Sequence, residues 1–315
     1  MKILFLYKYL SEYNLDEHLH LEFVKYFKNT EHQVDCYGPN IKKAYPEICS
    51  TEYDANLTLA DLRKNFNFDV IICITKARMF MDYSPPTRAN YMKGCILPSD
   101  FKTINVPKIV LEEDYHYEIN DDWYFEQGID LIMNRHLVNS LREGKVKKKW
   151  VPFSVDTNKF LFTKNHSRKN RIAFAGSISP PYPDRIFAIN TLEKHKLIDS
   201  FASRQKLGRA YIECLQDYVC HLSGASAYDI CAAKNFEITS CGAVLLTNNF
   251  TGLEQLFNKE SYVLWNESNL LDKVNEILND QELVHHTVNS AYRDILNRHT
   301  HEKRIAEIVD IIKSI

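Results

Sequence analysis

The stretch Lys234-Asn235-Phe236-Glu237-Ile238-Thr239-Ser240-Cys241-Gly242-Ala243-Val244-Leu245-Leu246-Thr247 joins a carboxylate, a helix stop and an apolar strand in one short span. Its pattern predicts a helix from about Asp229 to Cys241, closed by Gly242, which takes a left-handed cap conformation at little steric cost. Residues 243–246, apolar on both faces, read as a buried parallel strand. Such a helix delivers Glu237 to a strand edge, where α/β folds bind ligands. The same pattern also fits a surface Glu on an ordinary helix before a strand.

Outward from this span, strand-length apolar runs alternate with helix-period segments from end to end, the pattern of parallel sheets built from β-α-β units. Strands are expected at 2–7, 33–37, 70–75, 108–112, 129–134 and 149–153. The pattern restarts at 171–176, with further strands near 219–223, 243–247 and 261–265. Helices are expected near 184–196, 207–217, 268–279 and 281–297, with a last amphipathic segment at 300–314. The boundary falls at Trp150-Val151-Pro152-Phe153-Ser154-Val155-Asp156, and the basic, Asn-rich break at 163–171 argues against one large sheet. The expected fold class is α/β: two Rossmann-like, doubly wound domains, 1–153 and 154–298, facing a cleft. A C-terminal helix at 299–315 is expected to cross back to the first domain.

At 315 residues the chain buries ample core without disulfides or metals. A net charge of −2 leaves no global field to recruit nucleic acid or an anionic membrane. Charge is uneven locally: 112–126 is acidic, while 145–171 carries nine Lys/Arg against one acid, Asp156, and both runs read as solvated faces. The eight cysteines form no C-x-x-C pair and several sit in apolar runs, as reduced core residues of a cytoplasmic protein do. The N-terminal apolar stretch is too short for a signal peptide, and no run approaches the ~18–20 apolar residues of a membrane span.

Candidate chemistry gathers at strand ends. Gly176-Ser177 follows a buried strand and precedes a helix, so a ligand can approach the backbone and phosphate oxygens can meet the helix N–H groups, with Arg185 to neutralise charge. A plain turn with a surface Arg fits the same residues. No G-x-G-x-x-G or G-x-x-x-x-G-K-[ST] is present, so NAD binding and P-loop chemistry lack support. Eight residues separate Asp229 from Glu237, which on one helix places them about 80° apart and two turns along. Asp229 equally suits a helix N-cap, and Lys234 suits either a phosphate partner or a solvated face. In the first half, Asp114 and His116 follow a buried strand and suit proton transfer or hydroxyl orientation, though a loop His is often structural. Asp121-Asp122 fits a metal site less well than a helix cap.

Several segments together resemble the GT-B glycosyltransferases, in particular the CgeB-like (spore-maturation-protein-like) branch of group 1. They are 150–160 (WVPFSVDTNKF), 172–177 (IAFAGS), 234–243 (KNFEITSCGA) and 299–305 (HTHEKRI). The resemblance covers the hinge and second half; the first half matches in outline only, through Asp114-Tyr115-His116 and the strand at 129–134. It implies a glycosyltransferase moving a hexose-like sugar from a UDP- or GDP-linked donor to an acceptor hydroxyl. It also implies no cofactor or catalytic metal, and mostly retention of anomeric configuration. Glu237 would hold the ribose hydroxyls, Gly176-Ser177 would face the diphosphate, and Asp229 would stand where relatives place a Glu that touches the sugar. The acceptor, whether glycan, protein, small molecule or modified DNA base, stays open. So does a catalytically silent binding protein of the same fold. The glycine-rich turn usual after the first strand is replaced by Lys8-Tyr9-Leu10-Ser11.

Overall fold

A computed structural model describes residues 1–7, 19–75, 97–112, 122–163, 168–178, 180, 182–202, 205–224 and 229–315. Asp114, His116 and Asp121 lie outside them. The chain divides into two compact units, Met1–Pro152 with Glu307–Ile315, and Phe153–Ala306.

The first unit holds β1 (Lys2–Leu6), β2 (Gln33–Tyr37), β3 (Val70–Thr75), β4 (Lys108–Glu112), β5 (Leu131–Asn134) and β6 (Lys147–Trp150). They form one parallel sheet in the order β2-β1-β3-β4-β5-β6. β4 is buried along its whole length, as a parallel strand covered on both faces must be. The order reverses between β1 and β3, and the segments that follow these two strands lie outside the described residues.

The second unit holds β7 (Lys169–Gly176), β8 (Ile198–Ala202), β9 (Tyr218–Leu222), β10 (Val244–Thr247) and β11 (Val263–Leu264). This sheet is parallel too, ordered β11-β10-β9-β7-β8, so its reversal lies between β7 and β9. One face packs Ile172, Phe174, Leu222 and Leu246 against the Pro183–Lys194, Leu270–Asn279 and Gln281–Asp294 helices. The opposite face packs Ala173, Ala175 and Tyr218 against Cys214 of the Arg209–Asp217 helix. The seven described cysteines are buried and free.

Three expectations need correction. β8 went unread because Asp199 and Ser200 break its apolar run; at a sheet edge its side chains stay half-exposed and tolerate them. The strand expected at 149–153 is β6, two residues earlier, because an edge strand accommodates Lys147, Lys148 and Lys149. The helix expected at 281–297 ends at Asp294 and widens into a π turn, Ile295–His299. That turn leads into a short parallel bridge between Val155 and Thr300, flanked by bonds from Val155 N to His299 O (2.9 Å) and from His301 N to Val155 O (3.2 Å). His299 lies between Phe236 and Phe257; its Nε2 meets Leu256 O at 2.7 Å and its Nδ1 meets the Arg304 guanidinium at 3.2 Å. A guanidinium only donates, so the ring is neutral with its proton on Nε2. Burial accordingly lowers its pKa to about 4. Among the described residues no helix is long and apolar enough to cross a membrane.

Candidate active site

In an open parallel sheet, ligands bind at the carboxyl ends of the strands where the order reverses. In the second unit that crevice separates the ends of β7 and β9, and Arg185 spans it. Its Nη1 donates to Ser177 O after β7 (2.8 Å) and its Nη2 to Gly224 O after β9 (3.3 Å). The guanidinium is buried against the rings of Tyr182 (3.8 Å) and Phe174 (5.3 Å), and its Nε has no partner among the described residues. Burial is the main force lowering its pKa, opposed by Tyr182. The surface Arg of the alternative reading is therefore not what the structure holds. Pro183 opens the following helix with no side-chain cap, so its first N–H groups remain available.

Gly176 does make room, but for Lys234. A Cβ at Gly176, where φ is +152°, would collide with the Lys234 ammonium. That ammonium donates to Ala175 O and lies 4.4 Å from the Phe174 ring centre. The residue is half-buried as a whole, with its charged end turned inward, which overturns a solvated face. Burial first, then the nearby Arg185, lower its pKa from 10.5 to about 7, while Glu237 pulls the other way.

The helix of the opening span runs Lys234–Cys241, not from Asp229. Gly242 caps it at φ +80°, as the sequence predicts. Asp229 lies outside the helix in the left-handed region, φ +57°, and its carboxylate accepts from Thr251 N (2.8 Å) and the Thr251 hydroxyl. The two acids thus share no helix face, and Asp229 caps nothing of that helix; it ties its loop to the turn after β10. Periodicity missed this because the Thr251 partner is remote in sequence.

Glu237 is buried, 6 % exposed, in the first turn of its helix. Its Oε2 accepts a 2.6 Å hydrogen bond from the Tyr211 hydroxyl, on the Arg209–Asp217 helix. Burial, then the Glu237 charge, raise the Tyr211 pKa well above its ordinary value, so the phenol stays a donor. A buried carboxylate already bonded to one hydroxyl shows the chemistry needed to accept others. Sequence reasoning passed over Tyr211, 26 residues away and unmarked by any motif. It also passed over Ser223, whose hydroxyl donates to Asn235 Oδ1 (2.6 Å), and over Asn248, which donates to Asp184 at 2.5 Å. Gly176, Ser177, Arg185, Lys234 and Glu237 all lie at or beside this edge. Among the described residues no three His, Cys, Asp or Glu side chains converge as a metal would require.

In the first unit, Glu112 ends β4 buried and accepts from the Tyr124 hydroxyl. Arg135 is turned onto the carbonyls of Val151 (3.4 Å) and Pro152 (3.2 Å). Asp122 pairs with Lys145 at 2.7 Å, in the first turn of its helix.

Residues 159–310 match the family model described as glycosyl transferase-like. No curated protein matches the chain by sequence. Among solved structures, a glycosyltransferase from Rickettsia africae is similar with a TM-score of 0.67 and 13% identity over 99% of this chain and 98% of that one. Anabaena HepE, solved with UDP and glucose, gives 0.66 and 12% over the full length of both chains. An α-glucosyltransferase solved with UDP and DNA gives 0.63 and 11%, over 99% of this chain and all of that one. Two parallel-sheet α/β units, aligned nearly end to end with these enzymes, lead to one conclusion: the chain has the GT-B fold of these glycosyltransferase structures, and its residues 159–310 are similar to the glycosyl transferase-like family.

Proposed function

We propose that this chain transfers a sugar from a UDP- or GDP-linked donor to an acceptor hydroxyl. The observation that carries the reading is the buried, Tyr211-held Glu237 at the carboxyl edge of the second sheet, inside the matched domain. HepE, of the same fold, holds UDP and glucose, which favours a uridine donor. In this reading Glu237 accepts the ribose hydroxyls, and the open N-terminus at Pro183 faces the diphosphate. Lys234 and the spare Nε of Arg185 add positive charge there. Asp229 then positions the loop beside the sugar through Thr251. Asp114 and His116 are assigned to the acceptor side, orienting the attacking hydroxyl. The reading extends to membership of the CgeB-like branch, a cytoplasmic location, transfer without a metal, and retention.

A panel of nucleotide sugars, with hydrolysis followed in the presence of a chelator, identifies the donor without an acceptor; NMR of the released sugar reads its configuration. Thermal stabilisation by UDP or GDP that Glu237→Ala removes supports the reading. No response to any nucleotide overturns it, and binding without transfer or hydrolysis marks a silent binding protein. The DNA-base alternative loses some ground because part of its basic segment is committed internally. Arg168 donates to the carbonyls of Thr163, Leu215, Tyr218 and Cys241, Arg171 pairs with Asp199, and Lys148 holds the carbonyls of Arg142 and Glu143.

A further inference from the structure

The Arg209–Asp217 helix packs against the Lys234–Cys241 helix and brings the Tyr211 hydroxyl to Glu237 Oε2 at 2.6 Å. The chain just before β7 holds this pair of helices together. Buried Phe160 meets the Tyr211 ring edge to face, with centroids 6.4 Å apart and planes at 79°. Its carbonyl accepts from the Ser240 hydroxyl at 2.7 Å, on the helix that carries Glu237. Thr163 N donates to Cys241 O at 3.3 Å. Arg168 joins the far ends of both helices, donating to Leu215 O at 3.2 Å and to Cys241 O at 2.6 Å. Phe160, Thr163 and Arg168 thus fix the spacing of the two helices, and with it the reach of the phenol to the carboxylate.

This arrangement restricts what Glu237 can recognise. Tyr211 has one hydroxyl proton and donates it to Oε2; burial, then the Glu237 charge, raise its pKa well above the ordinary value, so the proton stays in place. An ionised carboxylate only accepts, so the ligand group that complements it must donate. A hydroxyl does so, whereas a methylene or an ether oxygen in its place forfeits the bond. Glu237 is buried, so water replaces a missing hydroxyl poorly, and a site built to bond a hydroxyl rejects an analogue without it. Orientation matters as well. The terminal torsion of a Glu side chain has a broad, soft profile, and the Tyr211 bond removes that freedom.

We propose that Tyr211 is the positioning residue that makes Glu237 selective for a ribonucleoside diphosphate over its 2′-deoxy counterpart. The inference rests on the reading of Glu237 as the ribose ligand. It narrows the donor to sugars carried on ribonucleotides and excludes those carried on deoxythymidine diphosphate.

The test is isothermal titration of the full chain with UDP and 2′-deoxy-UDP at one pH, in the wild type, Tyr211→Phe and Glu237→Gln. The wild type should bind UDP at least about tenfold tighter than 2′-deoxy-UDP, the worth of a hydroxyl bonded to a charged acceptor. Tyr211→Phe should reduce that ratio at least about threefold, because UDP weakens more than its deoxy analogue. A hydroxyl with a merely structural role would weaken both nucleotides alike, so an unchanged or larger ratio overturns the proposal. Phe keeps the ring against Phe160, and an unchanged melting midpoint of the unliganded variant checks the fold. A second measurement needs no variant: 2′-deoxy-2′-fluoro-UDP keeps a small polar atom that cannot donate and should bind the wild type as weakly as 2′-deoxy-UDP. Binding as tight as that of UDP overturns the proposal. If Glu237→Gln abolishes the preference and Tyr211→Phe retains it, this inference alone fails; if Glu237→Gln retains it, the ribose assignment fails too.

Discussion

Lys234 offers a prediction in which the sign and size both come from the structure. Its ammonium is enclosed by Phe174 and Ala175 O, faces Arg185, and is opposed by Glu237 on its own helix and weakly by Cys214 on the neighbouring one. With its pKa lowered to about 7, the free protein at pH 8 carries this lysine about nine-tenths deprotonated. A diphosphate bound beside it restores the charge, so UDP binding should take up about 0.9 proton at pH 8, and less as the pH falls toward 7. Because the free form loses its proton above pH 7, the UDP Kd should rise with pH there, toward about tenfold per unit. Calorimetry at pH 8 in two buffers of different ionisation enthalpy gives the uptake directly. That pH also avoids titration of the terminal phosphate of UDP, whose second pKa is about 6. Lys234→Met should bind UDP more weakly and without uptake. No uptake at pH 8, or the same uptake in Lys234→Met, would refute the argument.

Glu237→Gln should weaken UDP binding by about 1.5–3 kcal/mol, the worth of hydrogen bonds to a charged group, and Tyr211→Phe by less; titration calorimetry measures both. Asp229→Ala should cost about 1–3 kcal/mol of stability through the lost Thr251 bonds while UDP still binds, as urea unfolding and thermal shift together would show. Asp294→Ala should be the severest, at about 3–5 kcal/mol, since it strands Asn258, Ser261 and Arg298, each bonded to that buried carboxylate at 2.7 Å; chemical denaturation checks it. Gly242→Ala should destabilise by at least about 1 kcal/mol, because φ is +80° and the new Cβ would lie 2.9 Å from the Phe162 ring.

How far the sequence alone could be read follows from the range of each interaction. Central strands such as β3, β4 and β10 are continuous apolar runs, and burial on both faces writes that pattern directly into the chain. Edge strands β6 and β8 are half-solvated, so lysines, Asp199 and Ser200 hide them. Gly242 was legible because a left-handed cap is a local backbone demand. The start of its helix was not, since Asp229 leaves helical geometry for a partner 22 residues on.

By itself, then, the sequence determined the alternation of buried strands and helices, the restart of the pattern near residue 171 and the helix stop at Gly242, all encoded within a few residues of one another. Tertiary structure alone decided which groups meet at the strand edge. It placed the Tyr211 hydroxyl on Glu237, filled the space at Gly176 with the Lys234 ammonium, stretched Arg185 across the β7–β9 crevice and gave Asp229 to Thr251. Those pairings depend on strand order and on the direction in which long polar side chains are forced once their surroundings exclude water, and neither is carried by local residue pattern.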